Sequence, residues 1–221
     1  DIPEIEGVEP LRIKMATSAG HVTGKKLISS ESATWLNEHF ESNLSDIKTA
    51  VDRFMLQGVN HIFYHGTCYS PPGEPWPGWL FYAAVHLNPR NSLWPHLPAL
   101  NKYVERSQSL LQNTTTDNDV LLYYPIYDRF STPGDEMIEH FDAVGPQFEG
   151  TAFKRAAEMM LAKGFAYDYI SDKQIGKTNF ENEVLVTEGK GMYKTLIVPH
   201  CKYIPISTLR KILTLAEGGA T

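Results

Sequence analysis

Two cysteines in 221 residues, Cys68 and Cys201, are too few for a disulfide framework, though one bridge between them stays open. No CxxC spacing occurs, and His39, His96, His140 and His200 show no ligand-like pattern, so a zinc site is not expected. Neither GxGxxG nor a Walker motif is present, which leaves nucleotide binding without support. Basic charge is in deficit, with 20 Lys and Arg against 26 Asp and Glu and a net charge of −6. That balance argues against a nucleic-acid surface and against docking on anionic membrane. No stretch approaches the roughly 18 consecutive apolar residues of a membrane helix. The opening Asp1-Ile2-Pro3-Glu4-Ile5-Glu6 has no basic start and no apolar core, so it does not read as a signal peptide. It reads instead as a cut or processed start. Export of the parent stays open, with a periplasmic or extracellular parent the expectation.

What is there is a periodic pattern of short strands and longer helices, without repeats or low-complexity tracts. Residues 26–30 read as a short strand ending at Glu31. Residues 46–57 read as a helix, because Ile47, Ala50, Val51, Phe54 and Met55 fall on one helical face, with Gly58 as its cap. A strand follows over 59–64, then a Pro-, Gly- and Trp-rich loop over 65–98, then a helix over 100–112. The polar run 113–118 marks a boundary between a segment 1–116 and a segment 117–221. Beyond it, 119–124 is a near-continuous apolar run of the kind buried on both faces of a parallel sheet. Helices are expected over 153–163 and 207–217, the latter with Leu209, Ile212, Leu213 and Ala216 inward, and strands over 167–170 and 195–199. The glycines of 187–192 read as a turn. Strand–helix alternation of this kind makes the fold α/β with parallel sheet. The first segment supplies about two strand–helix units, far short of a closed eight-stranded barrel. The chain is therefore expected to be an internal piece of a larger enzyme.

Two constellations carry possible chemistry. The first runs from Ser18 through His21, Gly24 and Lys25 to Ser30-Glu31-Ser32. In α/β barrels the C-terminal strand ends form the active-site face, so a glutamate there suits acid, base or nucleophilic work on a glycosidic bond. Against this stands an equal chance of an ordinary glutamate at a helix start. His21 either orients a substrate or caps local backbone. The second constellation is Gly58-Val59-Asn60-His61 followed by Tyr64-His65-Gly66, Tyr69 and the loop tryptophans Trp76, Trp79 and Trp94. Imidazole and phenol groups hydrogen-bond hydroxyls, and indole faces suit the C–H faces of sugars. Each tryptophan alone more readily packs the loop on its scaffold, while three in one polar loop favour at least one in a cleft. His61 reads as a packed strand residue. Cys201 follows a strand, yet Pro199-His200-Cys201-Lys202 lacks the flanking glycines of a nucleophile elbow.

These runs, in this order, resemble the α-L-rhamnosidases of glycoside hydrolase family 106. Trp76-Pro77-Gly78, Asn88-Pro89-Arg90 with Trp94, Tyr103 with Arg106-Ser107-Gln108, Asp119 to Pro125, Gly164 to Asp172, and Tyr193 to Pro199 extend the likeness over nearly the whole chain. The resemblance implies the C-terminal strand–helix units of a (β/α)8 barrel, followed by part of a flavodoxin-like, class I amidotransferase-like parallel-sheet domain. It also implies an inverting α-L-rhamnosidase acting on plant or bacterial polysaccharide or glycoside, with calcium at the sugar site. Glu31 would then be the general base, and His21, Tyr64, His65, Tyr69, Trp76, Trp79 and Trp94 the sugar contacts. No general acid is legible, Glu74 being the one carboxylate in the loop, so the acid is expected upstream and the isolated chain inactive. The expected partners are the carbohydrate substrate and the rest of the parent chain, or a second copy. Two alternatives stay open: a β-galactosidase-like retaining hydrolase, and a non-catalytic α/β module for sugar binding or oligomerisation.

Overall fold

The computed structural model describes residues 1–34, 37, 39–131 and 148–221. His140 lies outside the described residues. Two units are formed, one by Asp1–Ile13 with Leu27–Thr115 and one by Lys14–Lys26 with Thr116–Thr221. The helix α1 (Pro10–Thr23) begins in the first grouping and continues in the second.

The first unit holds a parallel three-stranded sheet in the order β1 (Glu4–Glu6), β2 (Ser29–Ser32), β3 (His61–Tyr64). Helix α2 (Leu44–Leu56) connects β2 to β3. Its start lies two residues before the apolar stripe predicts. Asn43 caps it, accepting from the Ser45 and Asp46 amides, while the Asp46 carboxylate accepts from the Asn43 amide. Ile47, Ala50, Val51 and Phe54 are the buried face, and Gly58 leaves the helix at φ +104°. Helix α3 (Leu97–Gln112) also starts early, since Pro98 is tolerated in a first helical turn. Leu97, Leu100 and Val104 pack with Ile47, Val51 and Ala33 in one core. A short 3-10 turn, Trp94–His96, precedes α3.

In the second unit, β4 (Val120–Tyr123) lies between β5 (Tyr167–Ile170) and β9 (Thr195–Ile197), all parallel. Leu121, Leu122 and Tyr123 are wholly buried, as the continuous apolar run predicts. Between β4 and β5 come α4 (Ile126–Phe130) and α5 (Ala152–Ala162), the latter burying Phe153, Ala157 and Met160. After β5, a short helix α6 (Asp172–Gly176) leads into an antiparallel meander of β6 (Asn179–Glu181), β7 (Val184–Val186) and β8 (Met192–Tyr193). This meander interrupts the expected strict strand–helix alternation. Gly189 lies in the turn before β8, as expected, and has a further role. Its amide donates to the Val22 carbonyl, and a Cβ there would run into the backbone of Thr23 and Gly24.

The last helix, α7 (Ile206–Glu217), turns a different face inward from the one expected. Thr208 and Leu215 are buried and Ile212 packs on the core, whereas Leu209 and Leu213 are exposed. The Thr208 hydroxyl, on the inward face, donates to Asp172 Oδ1 at 2.7 Å.

Candidate functional site

Glu31 does not follow β2 but lies within it, because the strand extends through Ser32. In register it stands beside Glu6 of β1 and Phe63 of β3. Register partners on parallel strands point to one side of a sheet, so Glu31, Glu6 and Phe63 share a face, with Ser32 and Tyr64 on the other. Glu6 is thus a second carboxylate at the same strand end. A three-residue strand carries too little pattern to reveal it in the sequence.

Beyond the strands the chain converges. The His65 amide donates to the Ser32 carbonyl at 2.6 Å, which prolongs the β2–β3 ladder by one residue. Ala33, 3% exposed, takes the left-handed conformation with φ 74° and turns the chain back at the end of β2. Thr34 then donates its hydroxyl to Glu31 Oε2 at 2.9 Å, and the same oxygen lies 3.1 Å from His65 Nδ1. His65 and Phe81 pack edge to face, with ring centroids 5.3 Å apart at 82°. Glu31, Thr34 and His65 are each partly buried, which suits groups that must be reached by a ligand.

The loop of residues 65–98 is tied to itself. Arg90 Nη1 donates to the Glu74 and Pro75 carbonyls, and Trp76 Nε1 donates to the Arg90 carbonyl at 3.3 Å. Trp76, Trp79, Trp94 and Tyr69 all expose a large part of their rings, Tyr69 the most at 82%. Trp76 rests against Phe40, 5.3 Å between centroids. Tyr64, by contrast, turns to the α3 side, where it lines a groove of about 520 Å³ with Val104, Gln108 and Gln112. Burial pushes its hydroxyl up to about 12. His61 and His65 are four apart, a spacing that joins two imidazoles on a helix but separates them by about 13 Å along a strand.

His21 belongs to the other unit. Its Nδ1 sits 3.0 Å from Asp168 Oδ1 on β5. Asp168 is wholly buried and also accepts from Asn118 Nδ2 at 2.8 Å and from the Tyr193 hydroxyl at 2.9 Å. Lys14 Nζ donates to the Tyr167 carbonyl at 2.7 Å beside it. Burial alone would raise the Asp168 carboxyl. The hydrogen bond and charge of His21, the charge of Lys14 and the Asn118 donor reverse that and hold it below the ordinary carboxylate range. Burial pulls the Lys14 ammonium down, against the charge of Asp168. This is an internal polar network, so the fold gives His21 a structural partner. Cys201 is an unpromising nucleophile: burial pushes its thiol up, and the carboxylates of Asp128 and Asp172 add to that.

Calcium takes 6–8 oxygen ligands. Among the described residues no group of three or more His, Cys, Asp and Glu side chains is placed to hold a metal ion. Glu31 and Glu6 alone do not meet that demand.

A family model described as alpha-L-rhamnosidase, that of glycoside hydrolase 106, matches residues 6–221. A curated protein of Formosa agariphila, named "Putative beta-glucuronidase", is 26% identical over 208 residues, which make up 94% of this chain and 16% of that protein. The solved structure of a rhamnosidase from Novosphingobium sp. PP1Y superposes with a TM-score of 0.68 at 22% identity, covering 99% of this chain and 20% of that one. The chain thus spans less than a quarter of the length of either protein.

Proposed function

Because the chain belongs to the glycoside hydrolase family 106 of alpha-L-rhamnosidases, we propose that it carries part of the active site of an inverting α-L-rhamnosidase, with Glu31 as the general base. The first unit would supply the last strand–helix units of a (β/α)8 barrel, and the second would begin an amidotransferase-like parallel-sheet domain. The substrate would be an α-L-rhamnoside of plant or bacterial polysaccharide or glycoside. The reading is carried by one observation: a strand-end glutamate held by a hydroxyl that is itself held by an imidazole.

In this reading the Glu31 carboxylate takes a proton from a water as that water attacks the anomeric carbon from the face opposite the leaving group. A general acid protonates the departing oxygen. An inverting pair is roughly 6.5–9.5 Å apart to admit the water. Glu6 stands on the adjacent strand, and neighbouring strands are only about 4.8 Å apart. That spacing is short for the pair, so the acid is assigned to a strand of the parent outside this chain. His65 and the exposed faces of Tyr69, Trp76, Trp79 and Trp94 would contact the sugar. Tyr64 and His21, turned elsewhere, would support the scaffold.

Glu31→Gln in the full-length parent is expected to cut turnover of an aryl α-L-rhamnoside by about 10²–10⁴-fold, the usual share of a general base, while substrate still binds. Near-normal turnover removes Glu31 from the role. The relative named for a β-glucuronidase favours a second reading, a retaining β-glycosidase. The anomer first released, followed by NMR, separates the two: inversion supports the first, retention the second.

A further inference from the structure

We infer that Thr34 is the positioning residue of this site, aligning the Glu31 carboxylate and, through the same oxygen, fixing which nitrogen of His65 carries the proton. The inference rests on the reading of Glu31 and His65 given above. A threonine hydroxyl has one proton and two lone pairs. An ionised carboxylate only accepts, so the Thr34 proton is committed to Glu31 Oε2. What the hydroxyl then presents to His65, 3.1 Å away, is a lone pair. Nδ1 must therefore carry hydrogen. The opposite tautomer would set two lone pairs against each other. With Nδ1 protonated, neutral His65 offers Nε2 as an acceptor, ready for the O–H of a sugar hydroxyl or of water.

The backbone is built to hold this arrangement. Thr34 stands two residues beyond β2 and His65 one residue beyond β3, with Ser32 and Tyr64 in register behind them. The left-handed Ala33 folds Thr34 back towards the strand it has just left. A left-handed conformation at a non-glycine residue is strained and persists only where its surroundings enforce it. Here the enforcing surroundings are a buried core that includes Val85 and Leu97. Because the orienting bond is charge-assisted at Glu31, it is the stronger of the two, and the Thr34 rotamer follows the carboxylate.

The test has two readouts. The first is the ¹⁵N shifts of the His65 ring in the full-length parent with labelled histidine, wild type against Thr34→Val and Thr34→Ser. The wild-type ring is expected as the Nδ1–H tautomer, Thr34→Ser should keep it, and the nearly isosteric Thr34→Val should shift the population towards Nε2–H. A wild-type ring found as Nε2–H overturns the inference without need of any variant. The second readout is kinetic, in the full-length parent. Thr34→Val is expected to lower kcat about 10–100-fold with little change in KM, the size of one lost hydrogen bond to a charged group. Thr34→Ser should restore most of it. Unchanged kcat in Thr34→Val overturns the positioning role. If instead Glu31→Gln turns over normally while the Nδ1–H tautomer is present, the assignment of Glu31 fails and the hydrogen-bond geometry of Thr34 stands.

Discussion

Asp168 shows how much one buried side chain can organise. Three donors converge on it, and Lys14 adds a charge nearby. Its folded carboxyl lies below the unfolded value, so its stabilisation is present in full above the ordinary aspartate range, near pH 4. The contribution is lost as the pH falls through the lowered folded value. Removing the charge leaves Lys14 and His21 beside an uncompensated site, and breaking a buried pair typically costs about 3–5 kcal/mol. Asp168→Asn is therefore expected to lower stability at pH 7 by a few kcal/mol at most. It should also flatten the acid limb below about pH 4, measured by urea unfolding at a series of pH values. An unchanged acid limb in the variant would show that the pH dependence arises elsewhere. Nothing near His21 in the sequence announces this role, because its partner is 147 residues away.

The elements divide by how each buries its surface. Helices α2 and α5 and strand β4 are legible because each buries one face or one continuous run. Helix α1 is not. Leu11, Ile13, Lys14, Ala16, Thr17, Ser18 and Val22 are all buried, and residues buried all round a helix leave no stripe to find. The meander is hidden in the sequence for a different reason. Its β6–β7 hairpin closes through Asn182-Glu183, with φ 50° and 66°, a turn that ordinarily announces itself as Asn-Gly. Glutamate in that second position keeps the geometry and hides the signal. It also pays a steric penalty of about 1–2 kcal/mol that glycine escapes. Glu183→Gly is expected to raise stability by up to about 1 kcal/mol, since glycine's greater unfolded freedom offsets part of the gain. Thermal unfolding checks it, and a lowered Tm would mean that Glu183 is held by more than its backbone. The candidate site is half legible: Glu31 and His65 stand out by strand position, whereas Thr34 depends on a turn at Ala33 that alanine does not advertise.

At the scale of the whole molecule, exposed apolar side chains set the behaviour to expect in solution. Ile206, Leu209 and Leu213 line an outward face of α7. Exposed apolar surface gathered in this way drives association. With the chain matching only 16% and 20% of the lengths of two larger proteins, the natural cover is expected to be other parts of a parent chain. Expressed alone, the chain should self-associate, with its mass by light scattering rising with concentration. A concentration-independent monomer would rule this out, and Leu213→Glu should shift the equilibrium back towards monomer. The second unit also holds a place where no side chain fits. Gly189 and Gly24 meet backbone to backbone, so along any mutational walk the two behave as one inseparable letter. Neither can be respelled until the main chain itself moves, which makes this contact a fixed point of the second unit.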